Sequence, residues 1–506
     1  MLQRLPTDLP DPLPTHIRVR LGLPARRPAL VDTHFPPEGT DIDALNRFDT
    51  PAQRRLIFEE AFLFQTGIVA RRQKAGAETK PGSIHVDDRI RESARRVLPF
   101  KLTPGQRQAL KEIVEDLQRP QPMNRLLQGD VGAGKTIVAL LAALVVMENG
   151  LQVAFMAPTE ILAEQHFLSV SRLLQASRFR VALLTGGGGA AARKAHLAEI
   201  ESGAIHLVVG THALVQGGVR FRRLGLVIID EQHRFGVLQR ATLRSKGAGP
   251  DVLVMTATPI PRTLALTLYG DLDVSLIRDM PPGRQPIVTT ARPESRRDEV
   301  YRVVREQLDL GRQAYVIYPL VEESEKVDLK AATEMADHLS HEVFPHYRVG
   351  LLHGRLKADG KERVMKAFAA GEIQILVSTT VVEVGIDVPN ASVMIVEHAE
   401  RFGLSQLHQL RGRVGRDRHP SSCFLVYQSP LSEDARERLR GAGDLFGTRQ
   451  AGVPTFRLID LVRDRDVLEL AHGEAVEWFR HSAPPPSALA ELQQAWEERF
   501  GLMEIG

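Results

Sequence analysis

The sequence is short of several things, and each shortage excludes something. It has one cysteine, Cys423, so it can form neither an intramolecular disulfide nor a cysteine-based zinc site, and a reducing cytoplasm is the default setting. Cys423 stands in the apolar run Cys423–Tyr427 and reads as core packing. Aromatic residues are only 5 % of the chain, too few for a binding surface built mainly on base stacking. Long apolar runs are missing: the longest, Ile137 to Met147, is eleven residues, too short for a bilayer and suited to a buried helix. Pro6, Pro10, Pro12 and Pro14 occupy the place where a secretory signal needs an apolar stretch. Neither sign of charge dominates, since 65 Lys and Arg face 62 Asp and Glu; the net +3 is compatible with a polyanionic partner without pointing to one. What is present is globular material, 43 % apolar and 25 % charged in 506 residues, enough for about three domains.

Residues 1–50, rich in proline, read as an extended segment on the surface. A helix start follows, with Thr50 as N-cap, Pro51 at the first helical position and Gln53 completing a capping box. Leu56, Phe58, Phe62 and Phe64 give that helix an apolar side to pack on a larger body. From Arg125 short apolar strands alternate with amphipathic helices, the mark of parallel α/β sheets. Strands are expected at Arg125–Leu127, Gln152–Ala157, Val181–Leu184, His206–Val209, Leu226–Ile229 and Asp251–Met255. After a Pro- and Gly-containing break at Met280–Gln285 the rhythm restarts, with strands at Ala314–Tyr318, Val349–Leu352, Gln374–Val377, Val393–Val396 and Cys423–Tyr427. Two α/β lobes joined by a linker are the expectation, followed by a proline linker at Ala483–Pro486 and a last helix at Leu489–Phe500.

The most specific motif is GDVGAGKT, Gly129–Thr136, between a strand and an apolar helix. Gly129, Gly132 and Gly134, with Asp130 among them, let backbone N–H groups close round phosphate oxygens at a helix N-terminus. Lys135 would reach the β- and γ-phosphates of ATP, and the Thr136 hydroxyl would ligate Mg²⁺. A second strand, Leu226–Ile229, delivers Asp230 for the metal and Glu231 to orient the attacking water. The strand ending in Met255-Thr256-Ala257-Thr258-Pro259 suits a link from the ATP site to a moving partner, although by itself it reads as an ordinary strand exit. In the second lobe, Gln409–Arg416 (QLRGRVGR) interleaves arginines with glycines, so guanidinium forks can be set against phosphate. Arginines on one lobe and the phosphate loop on the other make hydrolysis depend on closure of the two.

Taken in order, GDVGAGKT, APTE (Ala157–Glu160), GTH (Gly210–His212), DEQH (Asp230–His233), TATP (Thr256–Pro259) and QLRGRVGR resemble the motifs of superfamily 2 helicases. DEQHRFGV, TATPIPRT, PPGR (Pro281–Arg284), VVEVGIDVPNASVMIVE (Val381–Glu397), FGLSQLHQLRGRVGR and GTRQ (Gly447–Gln450) are similar to those of RecG-type ATP-dependent DNA helicases, and FEEAFLFQ (Phe58–Gln65) resembles the segment before their motor. The resemblance covers roughly residues 1–470. The motors of transcription-repair coupling factors share TATPIPRT, the arginine motif and a GTRQ-like loop; DEQH and PPGR favour the RecG type. It implies two RecA-like P-loop NTPase lobes, each a mostly parallel sheet flanked by helices: a linker segment at 1–98, lobe 1 at 99–282, lobe 2 at 283–430, and a small C-terminal region with the GTRQ loop at 431–506. It implies that Gln106 reads adenine with Phe100 stacking on it, that Gly385 and Asp387 hold the ribose side, and that Arg413 and Arg416 are the arginine fingers. DNA-backbone contacts are implied for Pro158, Thr159, Thr211, His212, Arg262, Thr379, Thr380, Arg449 and Gln450. Sequence-independent, salt-sensitive binding of branched or duplex DNA by a bacterial, cytoplasmic, nucleoid-associated enzyme without membrane contact is the corresponding expectation.

Two departures qualify it. The family's N-terminal wedge domain would lie before this chain's first residues, and the helical hairpin ahead of GTRQ is short, since Leu431–Leu439 runs directly into Arg440–Asp444. Weak fork preference and poor coupling of hydrolysis to movement are the expectation. An RNA motor, a polymerase-remodelling motor and an uncoupled DNA-stimulated ATPase stay open as alternatives.

Overall fold

Runs of Val, Ile, Leu and Ala too apolar to face water on either side make strands that must be covered twice, and the described residues form two such sheets. The structure, a computed structural model, describes residues 6, 9–76, 79–82, 84–98, 100–186, 190–230, 242–243, 245–256, 272–280, 287–319, 325–356, 358–379, 388–415, 419–432, 435–436, 439, 458–460 and 463–481. The first sheet comprises β1 (Asn124–Gly129), β2 (Gln152–Met156), β3 (Val181–Leu184), β4 (Leu207–Gly210), β5 (Leu224–Asp230), β6 (Asp251–Thr256) and β7 (Asp273–Ile277) in the order β3-β4-β2-β5-β6-β1-β7. The second comprises β8 (Ile287–Pro293), β9 (Gln313–Tyr318), β10 (Val349–Leu352), β11 (Ile375–Thr379), β12 (Ala391–Val396) and β13 (Ser421–Tyr427) in the order β10-β11-β9-β12-β13-β8. Every neighbouring pair is parallel.

Alternation along a strand divides its side chains between two cores. Val153 and Phe155 of β2 enter one core of the first lobe, Ala154 and Met156 the other. In β9, Tyr315 and Ile317 separate in the same way from Ala314, Val316 and Tyr318. The longest apolar run becomes the helix Lys135–Glu148, in which Val138 to Met147 are all buried. Cys423 is core, as its neighbours suggest, and burial pushes its thiol up to about 12.

The ends of the chain depart from expectation. Residues 1–50 are not simply extended: they hold short helices at Thr15–Arg20, Arg26–His34 and Ile42–Asn46, with Leu13, Ile17 and Ala29 buried. The helix Pro51–Gly76 starts at the Thr50–Gln53 box, Thr50 Oγ1 accepting from Gln53 N at 3.3 Å. Its apolar side packs on a helix not foreseen, Arg465–His481: Phe58, Ala61 and Phe62 meet Leu468, Ala471, Ala475 and Trp478. Within this terminal body Arg55 is fully buried, bonded to Pro24 O at 3.0 Å and Glu59 at 2.7 Å and paired with Asp11. Glu60, 1 % exposed, accepts the backbone N–H groups of Leu458 (2.9 Å) and Ile459 (3.3 Å). Ion pairs Arg72–Asp273 and Lys80–Asp251 join the segment to the first sheet. The expected linker Ala483–Pro486 and helix Leu489–Phe500 lie outside the described residues.

Candidate active site

Strand β1 stops at Gly129 because the next residues must turn sharply without side chains in the way. A Cβ on Gly129 would lie 3.2 Å from Ile277 and 3.3 Å from Ala133. Gly132 (φ 80°) and Gly134 (φ 85°) occupy the left-handed region, which glycine adopts without strain. The loop then enters the helix at Lys135, whose ammonium donates to Gly129 O (2.8 Å) and Asp130 O (3.0 Å). The Asp130 carboxylate accepts from Val131 N at 2.7 Å, and Thr136 sits half-buried in the first helical turn.

A second element is fastened to this loop. The helix Pro104–Gln118 opens with a Thr103–Gln106 capping box, in which Gln106 Oε1 accepts from Thr103 N at 3.0 Å. The other end of the same amide donates to Ala133 O at 2.8 Å. Gln106 is 3 % exposed, so both ends of its side chain serve the protein here, and reading a base through it requires exchange of one bond. Asp279 accepts Gly105 N at 2.6 Å, and Phe100 is 49 % exposed beside this element.

Asp230 ends β5. Its partner Met255 in β6 is also the partner of Leu127 in β1, so Asp230 is level with Leu127 two strands away, about 10 Å at the usual strand spacing. The carboxylate accepts a hydrogen bond from His166 Nε2 at 2.8 Å. His166 belongs to the helix Glu160–Leu174, and its ring lies against Phe155, centroids 4.6 Å apart. Sequence reasoning missed His166, which nothing but the fold brings to Asp230; its place two helical turns after APTE was the only available signal. Glu231 lies outside the described residues.

The other expected positions divide. Thr159 Oγ1 caps the helix it precedes, accepting from Leu162 N at 3.3 Å, with Pro158 half-buried beside it. Gly210 closes on the Leu184 carbonyl, where a Cβ has no room; Thr211 after it is buried and His212 exposed. Thr379 is buried at the end of β11. Thr380, Gly385, Asp387, Arg262, Arg416, Arg449 and Gln450 lie outside the described residues. The helix Leu404–Arg411 leads into Gly412 and the half-buried Arg413, whose N–H bonds Leu410 O at 2.9 Å. Gly412 brings the lobes together: a Cβ there would lie 2.6 Å from the side chain of Val131 in the phosphate loop. The geometry therefore offers a lysine-bearing anion cradle, hard oxygen donors on Thr136 and Asp230, and an arginine turn seated on the cradle's rim.

Family models match in two places, "DEAD/DEAH box helicase" over residues 103–267 and "Helicase conserved C-terminal domain" over 298–418. The ATP-dependent DNA helicase RecG of Synechocystis sp. is 47 % identical over 97 % of this chain and 61 % of its own length. RecG of Bacillus subtilis is 46 % identical over 92 % of this chain and 70 % of its own length. The solved structure of RecG bound to a three-way DNA junction aligns with 44 % identity and a TM-score of 0.72, over 91 % of this chain and 62 % of that one. The chain thus spans less than two thirds of the length of some of the curated relatives it matches.

Proposed function

Because this chain belongs to the RecG family of ATP-dependent DNA helicases, we propose that it is an ATP-driven translocase on branched or duplex DNA, acting in recombination and repair. The observation that carries the reading is the seat of Gly412 on Val131: it sets the arginine turn of the second lobe against the phosphate loop of the first, so closure of the lobes completes one site. Lobe 1 is taken as 99–282 and lobe 2 as 283–430. Lys135 binds the β- and γ-phosphates after giving up its bonds to the loop carbonyls. Thr136 and Asp230, both hard oxygen donors, fit a Mg²⁺ ion, which when bound draws charge from the transferred phosphoryl group. Glu231 orients water, and Arg413 and Arg416 meet the developing charge. Phe100 and Gln106 take the base; Gly385 and Asp387 take the ribose side.

DNA runs over Pro158, Thr159, Thr211, His212, Arg262, Thr379, Thr380, Arg449 and Gln450, contacts to backbone that carry no sequence information. The solved RecG complex with a three-way junction supports branched DNA as the substrate. Work on chromosomal DNA implies a cytoplasmic, nucleoid-associated enzyme, and no described helix is long and apolar enough to cross a membrane.

Phosphate release measured without DNA, with linear duplex and with a model fork tests the proposal. Hydrolysis should rise with DNA, whether linear duplex or fork. Lys135→Ala should abolish it while DNA binding persists, and Glu231→Gln should bind ATP but turn over about 10²–10⁴-fold more slowly. Wild-type turnover by Lys135→Ala would sink the site assignment.

A further inference from the structure

We infer that His166 is a positioning residue for the Asp230 carboxylate, fixing the rotation of that carboxylate at the nucleotide site. The inference rests on the reading of Asp230 as a metal-holding group and adds a residue that no motif names.

Nε2 of His166 lies 2.8 Å from Oδ2 of Asp230, and an ionised carboxylate only accepts, so the imidazole N–H donates. Both side chains are 12 % exposed, which leaves little water to compete for the bond. A hydrogen bond to an ionised acceptor is stronger than a neutral one and holds its geometry better. The donor is itself held. Phe155 in β2 lies tilted against the ring, centroids 4.6 Å apart at an angle of 31°, and β2 lies next to β5, Phe155 opposite Ile228. Carboxylate, imidazole and phenyl thus pack one against the next over two adjacent central strands, and the bond to Oδ2 favours one rotation of the carboxylate. Partners in this position, behind a metal-holding group, characteristically set its orientation.

The helix that carries His166 adds a connection. It begins at Thr159, whose hydroxyl is its N-cap, and reaches His166 seven residues later, about two turns on. Pro158 and Thr159 are among the residues proposed to meet the DNA backbone. One helix therefore runs from the residues proposed to meet DNA to the side chain that bonds Asp230.

The test titrates Mg²⁺ against the affinity of the full chain for a fluorescent, non-hydrolysable ATP analogue, alongside kcat and KM for ATP. His166→Phe keeps a ring against Phe155 and deletes the donor. It should raise the half-saturating Mg²⁺ concentration about 10–100-fold, leave affinity in the absence of Mg²⁺ unchanged, and lower kcat more than it alters KM. His166→Gln, whose amide N–H can reach the same oxygen, should recover most of the loss. An unmoved Mg²⁺ midpoint and unmoved kcat in His166→Phe would overturn the inference. So would a loss shared equally by the Mg²⁺-free affinity, which marks a merely structural histidine. Asp230→Asn separates this from its premise: if it shifts the midpoint and His166→Phe does not, the positioning role alone fails. If Asp230→Asn leaves the midpoint in place, the reading of Asp230 fails and the inference with it.

Discussion

At Gly412 a single methyl group decides whether the two lobes can meet. An alanine Cβ would stand 2.6 Å from Val131, well inside van der Waals contact, and neither partner is a flexible chain end. Forcing extra volume into a tight contact costs about 1–3 kcal/mol, and here the closed arrangement alone bears the cost. Gly412→Ala should therefore slow DNA-stimulated hydrolysis about 5- to 150-fold, taking that cost at tenfold per 1.4 kcal/mol. Val131→Gly in the same chain should restore it. Steady-state phosphate release checks both, and a double variant no faster than Gly412→Ala would show that this contact does not limit closure. The pair illustrates what one-dimensional reading can and cannot find. Gly129 to Thr136 was legible because phosphate chemistry is done there by neighbouring backbone. Gly412 with Val131, and His166 with Asp230, are partners only after folding, and each residue alone is unremarkable in type.

Helices and strands were legible where both faces are buried. The central strands were found to within a residue or two because burial on both sides demands an unbroken apolar run. The two strands missed, β7 and β8, are the edges on either side of the linker between lobes, where one flank needs no partner; β8, Ile287–Pro293, has no fully buried residue. The helices before Asn46 are too short to show a period, and Arg465–His481 has its apolar partner on Pro51–Gly76, nearly the whole chain away. Glu60 holds these terminal elements through two buried backbone N–H groups. Glu60→Ala leaves both donors without that acceptor, a loss of about 1.5–3 kcal/mol for bonds to a charged group. Amide exchange in a peptide spanning Leu458 and Ile459 should quicken about 10- to 100-fold, with basal ATP hydrolysis unchanged. Unaltered exchange would mean that the segment is held by packing alone.

The terminal body is tied to the base of the first sheet by Lys80, which bonds Asp251 at 3.0 Å and Leu117 O at 2.7 Å, while Asp251 also accepts Met123 N at 2.6 Å. Burial pushes the Asp251 carboxyl from 3.8 up to about 6 against the pull of Lys80. An acid with a raised folded pKa holds a proton that the unfolded chain has lost. Its contribution to stability is thus full below 3.8, declines as pH rises, and is gone above about 6. At 1.36 kcal/mol per unit the span is worth about 3 kcal/mol. Asp251→Asn retains an acceptor for Met123 and should flatten this part of the stability profile; denaturant midpoints of both proteins across the window check it, and parallel profiles would remove Asp251 as the cause. The pairing of the chain's two ends also sets a schedule. Leu458, the partner of Glu60, is made 398 residues later. At a ribosomal pace of about 5–20 residues per second that is a wait of roughly 20–80 s. Throughout it Phe58 and Phe62 have no Trp478 to cover them. Both sheets are translated in the interval, so the motor can fold while the helix that will brace it is still an exposed greasy surface on a nascent chain, the stretch on which a chaperone would have most to do.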